Sequence, residues 1–254
     1  VLRRAMDYAR DFDLIFGVSP ATPALNPRGC VNEGRISYQL GLPGIPVCGE
    51  DIAVARDVLL AESVDARLHL QSLSSAGALD CVRRAKERGV KVSAQVNVHH
   101  LLFDETSVGN YDTNFKLLPP LRLESDREAM LAGLIDGTID CLVSGHLPCT
   151  PFSKAQDFAS AADGMTGLQT TMPAVYDRLI RPGKISWSDL VRIYSDRPRE
   201  ILGLEPVRIA EGHLAEFFLF DPEGVTEVTA ESQLSKSLNT PFLGETLAGA
   251  VIAL

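Results

Sequence analysis

Short apolar runs alternate with longer amphipathic stretches from Val1 to about Ala215, and that alternation predicts repeated β-α units around a parallel sheet. Four runs read as strands: Leu14–Val18 (LIFGV), Arg67–Gln71 (RLHLQ), Val90–Val96 (VKVSAQV) and Asp140–Ser144 (DCLVS). Between them, apolar residues fall at helical spacing. Val1–Arg10 places Leu2, Ala5, Met6 and Ala9 on one face, Glu50–Glu62 and Ala76–Arg88 repeat that stripe, and Asp126–Ile135 ends at Asp136-Gly137. Ser74-Ser75 supplies an N-cap before Ala76 and Gly89 a stop after Arg88, while Ser125 and Glu128 sit at the cap and box positions of the next helix. Leu168–Leu179 and Trp187–Tyr194 carry helical periodicity without a strand signal and are expected to cover the sheet. Past Ile209, HLAEFFLFDP (His213–Pro222) and GVTEVTA predict antiparallel β-structure, with GAVIAL as a further strand.

Parallel units of this kind fit either an open doubly wound sheet or a (β/α)8 barrel, and four strands are too few to close a barrel. Residues 1–208 are therefore expected to form part of such an α/β body and residues 209–254 a segment of a small β-domain. With 45% hydrophobic and 22% charged residues among 254, the chain can bury a substantial core. Its net charge is −9, and Lys and Arg are scattered along it, which argues against nucleic acid as a partner. No apolar run reaches the ~18 residues of a membrane span, and VLRRAMDYAR lacks a signal-peptide pattern, so a cytoplasmic location is expected. Five cysteines (Cys30, Cys48, Cys81, Cys141, Cys149) without CxxC spacing suggest neither a disulfide framework nor a structural zinc site.

Four segments carry a resemblance: Asn32–Asp57 (NEGRISYQLGLPGIPVCGEDIAVARD), Val98–Arg122 (VHHLLFDETSVGNYDTNFKLLPPLR), Asp136–Cys149 (DGTIDCLVSGHLPC) and Ser237–Leu254. Through them the chain resembles the bacterial dihydroorotases, a branch of the cyclic amidohydrolases, almost end to end. The resemblance implies a metal-bearing (β/α)8 barrel of which the four strands above are the last four, together with a small β-domain built from the tail. The family's first strand, with its His-x-His pair, and its fourth, with a bridging carboxylate, have no counterpart here. Relatives of this kind hold water on zinc to make hydroxide near neutral pH, and a carboxylate on the last strand then moves the proton to the leaving nitrogen.

By the same resemblance, Ser19 stands where the family has a ligand histidine, Ser72 where it has another, and Gly145 where it has the essential aspartate of a Thr-Asp-His-Ala-Pro-His run. Cys149 replaces the final, substrate-contacting histidine of that run, and Leu118 replaces a substrate-contacting asparagine. Hydroxyls, a hydrogen and an alkyl group do not bind zinc as imidazole and carboxylate do. The expected catalytic set, metal set and cofactor are therefore none. His146 and Arg122 remain as candidates for contact with a ligand in the old pocket.

Other chemistries have little support. His99-His100, placed in a strand, would point to opposite faces, and His69 reads as a satisfied core histidine. Ser72, Ser74, Ser75 and Ser144 lie near strand ends, yet none sits in a G-x-S-x-G elbow, and Cys149 beside His146 lacks an identifiable third group. The chain looks like the inactive dihydroorotase-like subunit that associates with aspartate carbamoyltransferase in pseudomonad-type bacteria, which implies that transcarbamoylase as partner and a homo-oligomer within the complex. An active zinc enzyme completed by upstream ligands, and a small-molecule sensor that keeps the pocket, are the alternatives. Tyr38, Phe152 and Phe158 are the expected exposed apolar residues of an interface.

Overall fold

The computed structural model of the chain describes residues 1–253. Helix α1 (Leu2–Asp11) leads into strand β1 (Ile15–Val18), after which the two-residue strands β2 (Val31–Asn32) and β3 (Gly44–Ile45) flank α2 (Arg35–Leu40). Helix α3 (Cys48–Glu62) returns the chain to β4 (Arg67–Leu70), followed by α4 (Ala76–Glu87), β5 (Val92–Asn97), the short α5 (Val98–Leu102), α6 (Glu124–Asp136) and β6 (Cys141–Val143). Beyond come α7 (Pro151–Lys154), α8 (Thr171–Val175, continued by a wider helical turn through Ile180), α9 (Trp187–Val191, continued through Asp196), α10 (Arg197–Leu202) and the strands β7 (Leu219–Glu227) and β8 (Thr246–Ala253).

Strands β1, β4, β5 and β6 form one sheet in that order, every neighbour parallel. The register sets Gly17 beside His69 and His69 beside Ser93, then Gln95 beside Cys141 and Asn97 beside Val143. Alternation along the strands makes two unlike faces. Leu68, Leu70, Val92, Ala94, Val96 and Leu142 point into the main core, where Val54 and Val58 of α3, Leu79 and Val82 of α4, and Met130 and Leu134 of α6 meet them. Each such valine, leucine or methionine contributes roughly 1.5–3 kcal/mol of burial. Gly133 lets α6 close on α4, because a Cβ there would lie 2.5 Å from Leu79 Cδ1. The opposite face carries His69, Ser93 and Gln95, all half-buried.

The local signals act as their chemistry requires. Ser75 caps α4 by accepting from the Ala78 amide at 3.1 Å, and α6 ends at Gly137, whose φ of 82° favours glycine. Strands β7 and β8 pair antiparallel and pack on the helical layer through Phe220, whose ring lies 5.0 Å from that of Tyr176 and 5.5 Å from that of Trp187.

Several expectations are corrected. His99 and His100 lie in α5, not in a strand, since β5 ends at Asn97 and the chain turns directly into a helix. Strand β7 begins only at Leu219, where it pairs with Ala253, and His213–Phe218 lies outside it. Ser125 lies inside α6, which starts one residue earlier after the extended Leu123 and has no side-chain cap, whereas Asp126 accepts from the Ala76 amide at 2.9 Å and ties α6 to α4. Phe158 is buried beside Cys30, Val31 and Val108, while Tyr38 and Phe152 are exposed. Leu254, the last residue of the expected GAVIAL strand, lies outside the described residues.

Candidate functional site

A cavity of about 850 Å³ opens at the C-terminal ends of the parallel strands, the end where such folds place their chemistry. Its floor is the polar face of the sheet, built by period-two alternation in Ser93-Ala94-Gln95-Val96-Asn97. His69 Nε2 donates to Gln95 Oε1 at 3.0 Å, and its Nδ1 lies 2.8 Å from Ser93 Oγ, so both ring nitrogens are satisfied. Ser19 Oγ donates to Gln71 Oε1 at 3.1 Å, and Ser72 Oγ to Asn97 Oδ1 at 3.1 Å. Ser72 holds a left-handed φ of 55° at the end of its strand.

Gly145 follows β6 with a φ of 57°, and a Cβ there would lie 2.9 Å from Asn97 Cγ. The Asn97 side chain thus fills the space that any larger residue at 145 would need. His146 bridges to Met165, and its Nδ1 accepts from the Gly167 and Leu168 amides, each at 3.3 Å, which leaves Nε2 as the ring's N–H donor. Cys149 is half-buried, its amide donating to Asn239 Oδ1 at 3.1 Å and its Sγ 3.5 Å from the Asp163 carbonyl. Leu118 stands largely exposed on the cavity wall beside Pro119 and Pro120.

Arg122 lines the cavity, yet its fork is committed to protein. Nη1 donates to Asn32 Oδ1 at 2.9 Å and to the Ile45 carbonyl at 3.0 Å, Nε to Ser74 Oγ at 3.2 Å, and Nη2 pairs with Glu50 at 3.5 Å. Glu50 is buried and accepts from the Ser74 amide at 2.7 Å, the Ser75 amide at 3.2 Å and the Ser74 hydroxyl. Burial pushes its carboxyl above the ordinary range, opposed by Arg122 and the serine donors. Asn32 Nδ2 completes the clamp by donating to Glu105 Oε2 at 2.6 Å. Loops after β1, β4 and β5 are thereby locked together.

The two histidines of α5 lie behind this clamp. His100 Nε2 donates to the Pro119 carbonyl at 3.0 Å, and burial lowers its pKa to about 4. His99 is fully buried with neither ring nitrogen meeting a partner, and burial, followed by the neighbouring His100, lowers its pKa to about 3. Both rings are neutral at physiological pH.

The strand ends of this chain therefore offer Ser19, Ser72, Asn97 and Gly145, a donor set that does not fit zinc, which takes imidazole, thiolate or carboxylate. Among the described residues, no three His, Cys, Asp or Glu side chains are grouped as a metal site. No helix among them is long and apolar enough to cross a membrane. The amide row Gln71, Gln95 and Asn97 and the Glu50–Arg122 clamp are not evident from motif reading. The alternation in VSAQVN marks the first, whereas the second joins residues 72 positions apart.

No family model matches the chain. It is 39% identical to a dihydroorotase of Leifsonia xyli over all of its own length and 58% of the relative's, and 41% identical to a dihydroorotase of Bacillus cereus over 85% and 51%. The chain thus spans little more than half the length of these curated relatives. A crystal structure of dihydropyrimidinase from Brevibacillus agri superposes with a TM-score of 0.86 at 23% identity, covering all of this chain and 58% of that one. An L-hydantoinase of Arthrobacter aurescens gives 0.86 at 21%, covering 99% and 58%. These structural neighbours speak for the fold, that of an amidohydrolase (β/α)8 barrel represented here by a four-stranded part. By sequence and fold together, the chain is a dihydroorotase-like member of the cyclic amidohydrolase superfamily.

Proposed function

We propose that this chain is a non-catalytic dihydroorotase-like protein of pyrimidine biosynthesis that serves as a structural or assembly subunit for aspartate carbamoyltransferase in the cytoplasm. The observation that carries the reading is the packing of Asn97 against Gly145. By the resemblance, position 145 corresponds to the essential aspartate of active relatives, and here a Cβ would lie 2.9 Å from Asn97 Cγ. That packing supports the reading that this position no longer carries a carboxylate. Ser19 and Ser72 support the same reading, because each hydroxyl is spent on an adjacent amide at 3.1 Å.

A framework kept in order without its catalytic groups is explained by a role for its surface. Tyr38 and Phe152 stand out, exposed by 80% and 81%, and suit an apolar contact. Light scattering on a mixture of the full-length protein and the catalytic trimer of aspartate carbamoyltransferase tests the proposal. A complex heavier than either component is expected; two unchanged masses would overturn it.

The identity of 39–41% to proteins named dihydroorotase favours a second reading, an active zinc enzyme that draws ligands from outside this chain. Assay of dihydroorotate hydrolysis by the full-length protein separates the two, since turnover is expected only under the second.

A further inference from the structure

Between Cys149 and Gly164 the chain leaves the body of the fold and returns to the place where it left, and one buried side chain holds both ends. Asn239 Nδ2 donates to the Leu147 carbonyl at 3.0 Å and to the Gly164 carbonyl at 3.1 Å, while its Oδ1 accepts from the Cys149 amide at 3.1 Å. Cys149 Sγ, 3.5 Å from the Asp163 carbonyl, closes the neck further. Gly164 completes it with a φ of 147°, and a Cβ there would lie 2.8 Å from that sulfur, so glycine is required. Thr150–Asp163 is thus a loop with a pinned base. Its inner edge, Asp163 and Gly164, lines the cavity.

The body of the loop is fastened by two buried lysines that reach in opposite directions. Lys154 Nζ donates to the Thr113 carbonyl at 2.6 Å and the Lys116 carbonyl at 3.3 Å, and Lys116 Nζ donates back to the Ala159 and Ala161 carbonyls at 3.0 and 2.6 Å. Thr113 Oγ1 adds a bond to the Lys154 carbonyl at 2.8 Å. Beyond the neck, and among the described residues, every hydrogen bond from Thr150–Asp163 to the rest of the chain ends on Thr113–Lys116. Apolar anchoring is slight, since Phe158 and Ala161 are the only fully buried apolar side chains of the loop. Neither ammonium is hydrogen-bonded to a carboxylate; Asp163 stands 3.9 Å from Lys116 Nζ. Burial holds the Lys154 ammonium below the ordinary lysine range, and once freed of its carbonyls that charge favours water over the interior. From this geometry we infer that Thr150–Asp163 is a strap that opens as one unit, hinged at the neck held by Asn239 and released at the Lys116–Lys154 clasp, which frees the side of the cavity formed by Asp163 and Gly164. The inference goes beyond the assembly role and does not depend on it.

Hydrogen exchange read by mass spectrometry on the full-length protein tests the strap. In the wild type, the hydrogen-bonded amides of Lys154, Ala155, Ser160, Ala161 and Ala162 are expected to exchange together, about tenfold or more faster than those of Val92–Asn97 in the sheet. Lys154→Met keeps the side-chain length and removes the ammonium, so it is expected to speed exchange across the strap about tenfold and alkylation of Cys149 by a similar factor. Val92–Asn97 and the exposed Cys48 should stay unchanged as internal controls. Lys116→Met is expected to act in the same way from the other side of the clasp. Unchanged strap exchange in both variants would overturn the clasp, and a loss of protection that spreads equally to the sheet would overturn the strap as a separate unit. Where neither variant folds, the wild type alone decides, because strap amides that open only together with the sheet contradict the inference.

Discussion

The two faces of the central sheet differ in what their side chains do. On the packed face, Leu68, Leu70, Val96 and Leu142 are almost wholly buried under α3, α4 and α6, and the loops above are locked by Glu50 and Arg122. On the open face, amides, hydroxyls and one imidazole hydrogen-bond one another beside the cavity. One face and its clamp maintain a scaffold; the other presents hydroxyls, amides and a glycine at the strand ends, which under the proposed reading stand in place of metal-binding groups. The difference teaches that side chains alternating along the same strands can serve packing on one face and a polar cavity on the other.

Acid should attack the packed side first. His99 and His100 have folded pKa values near 3 and 4, below the ordinary 6.5, so the unfolded chain binds protons that the folded one refuses. Their contribution is fully present above about pH 6.5 and is lost as pH falls toward 4, at about 1.4 kcal/mol per pH unit for each proton. Urea unfolding between pH 4 and 7 is expected to show this slope, and replacing His99 with Leu should flatten it; a flat wild-type profile would contradict the burial of these rings.

Removing the clamp comes next. Arg122→Ala strands Glu50 in the interior and is expected to cost about 3–5 kcal/mol in chemical denaturation. A loss under about 1 kcal/mol would show that the clamp does not hold the loops. A smaller pair sharpens the contrast between the faces. Leu70→Ala should cost about 2–5 kcal/mol, whereas Gln71→Ala, one residue along and facing the other way, should stay within about 0.5 kcal/mol. Equal costs would mean that the faces are not distinct.

The parallel strands were legible as short apolar runs, and Ser75 and Gly137 were legible as helix boundaries, because these signals are local. Where the outcome depended on distant partners, local reading failed. His99-His100 continues an apolar run and reads as strand, yet β5 ends at Asn97, and His213–Phe218 has strand composition but lies outside β7, which pairs from Leu219 onward. Phe158 looked exposed because its neighbours in the core, Cys30 and Val31, are far off in sequence. At the site, the resemblance singled out Ser19, Ser72 and Gly145 as positions of interest, yet the packing of Asn97 into the space beside Gly145 was not legible, since it needs the register of β5 against β6. Arg122, a candidate for ligand contact from sequence, proved to be spent on Asn32, Ile45, Ser74 and Glu50.

Metal content of the full-length protein, purified without chelator and read by emission spectroscopy, bears most directly on the strand ends. The account predicts far less than one zinc per chain and no change in that value when Ser72, Asn97 or His146 is replaced by alanine. One zinc per chain, lost on replacing any of those residues, would contradict it.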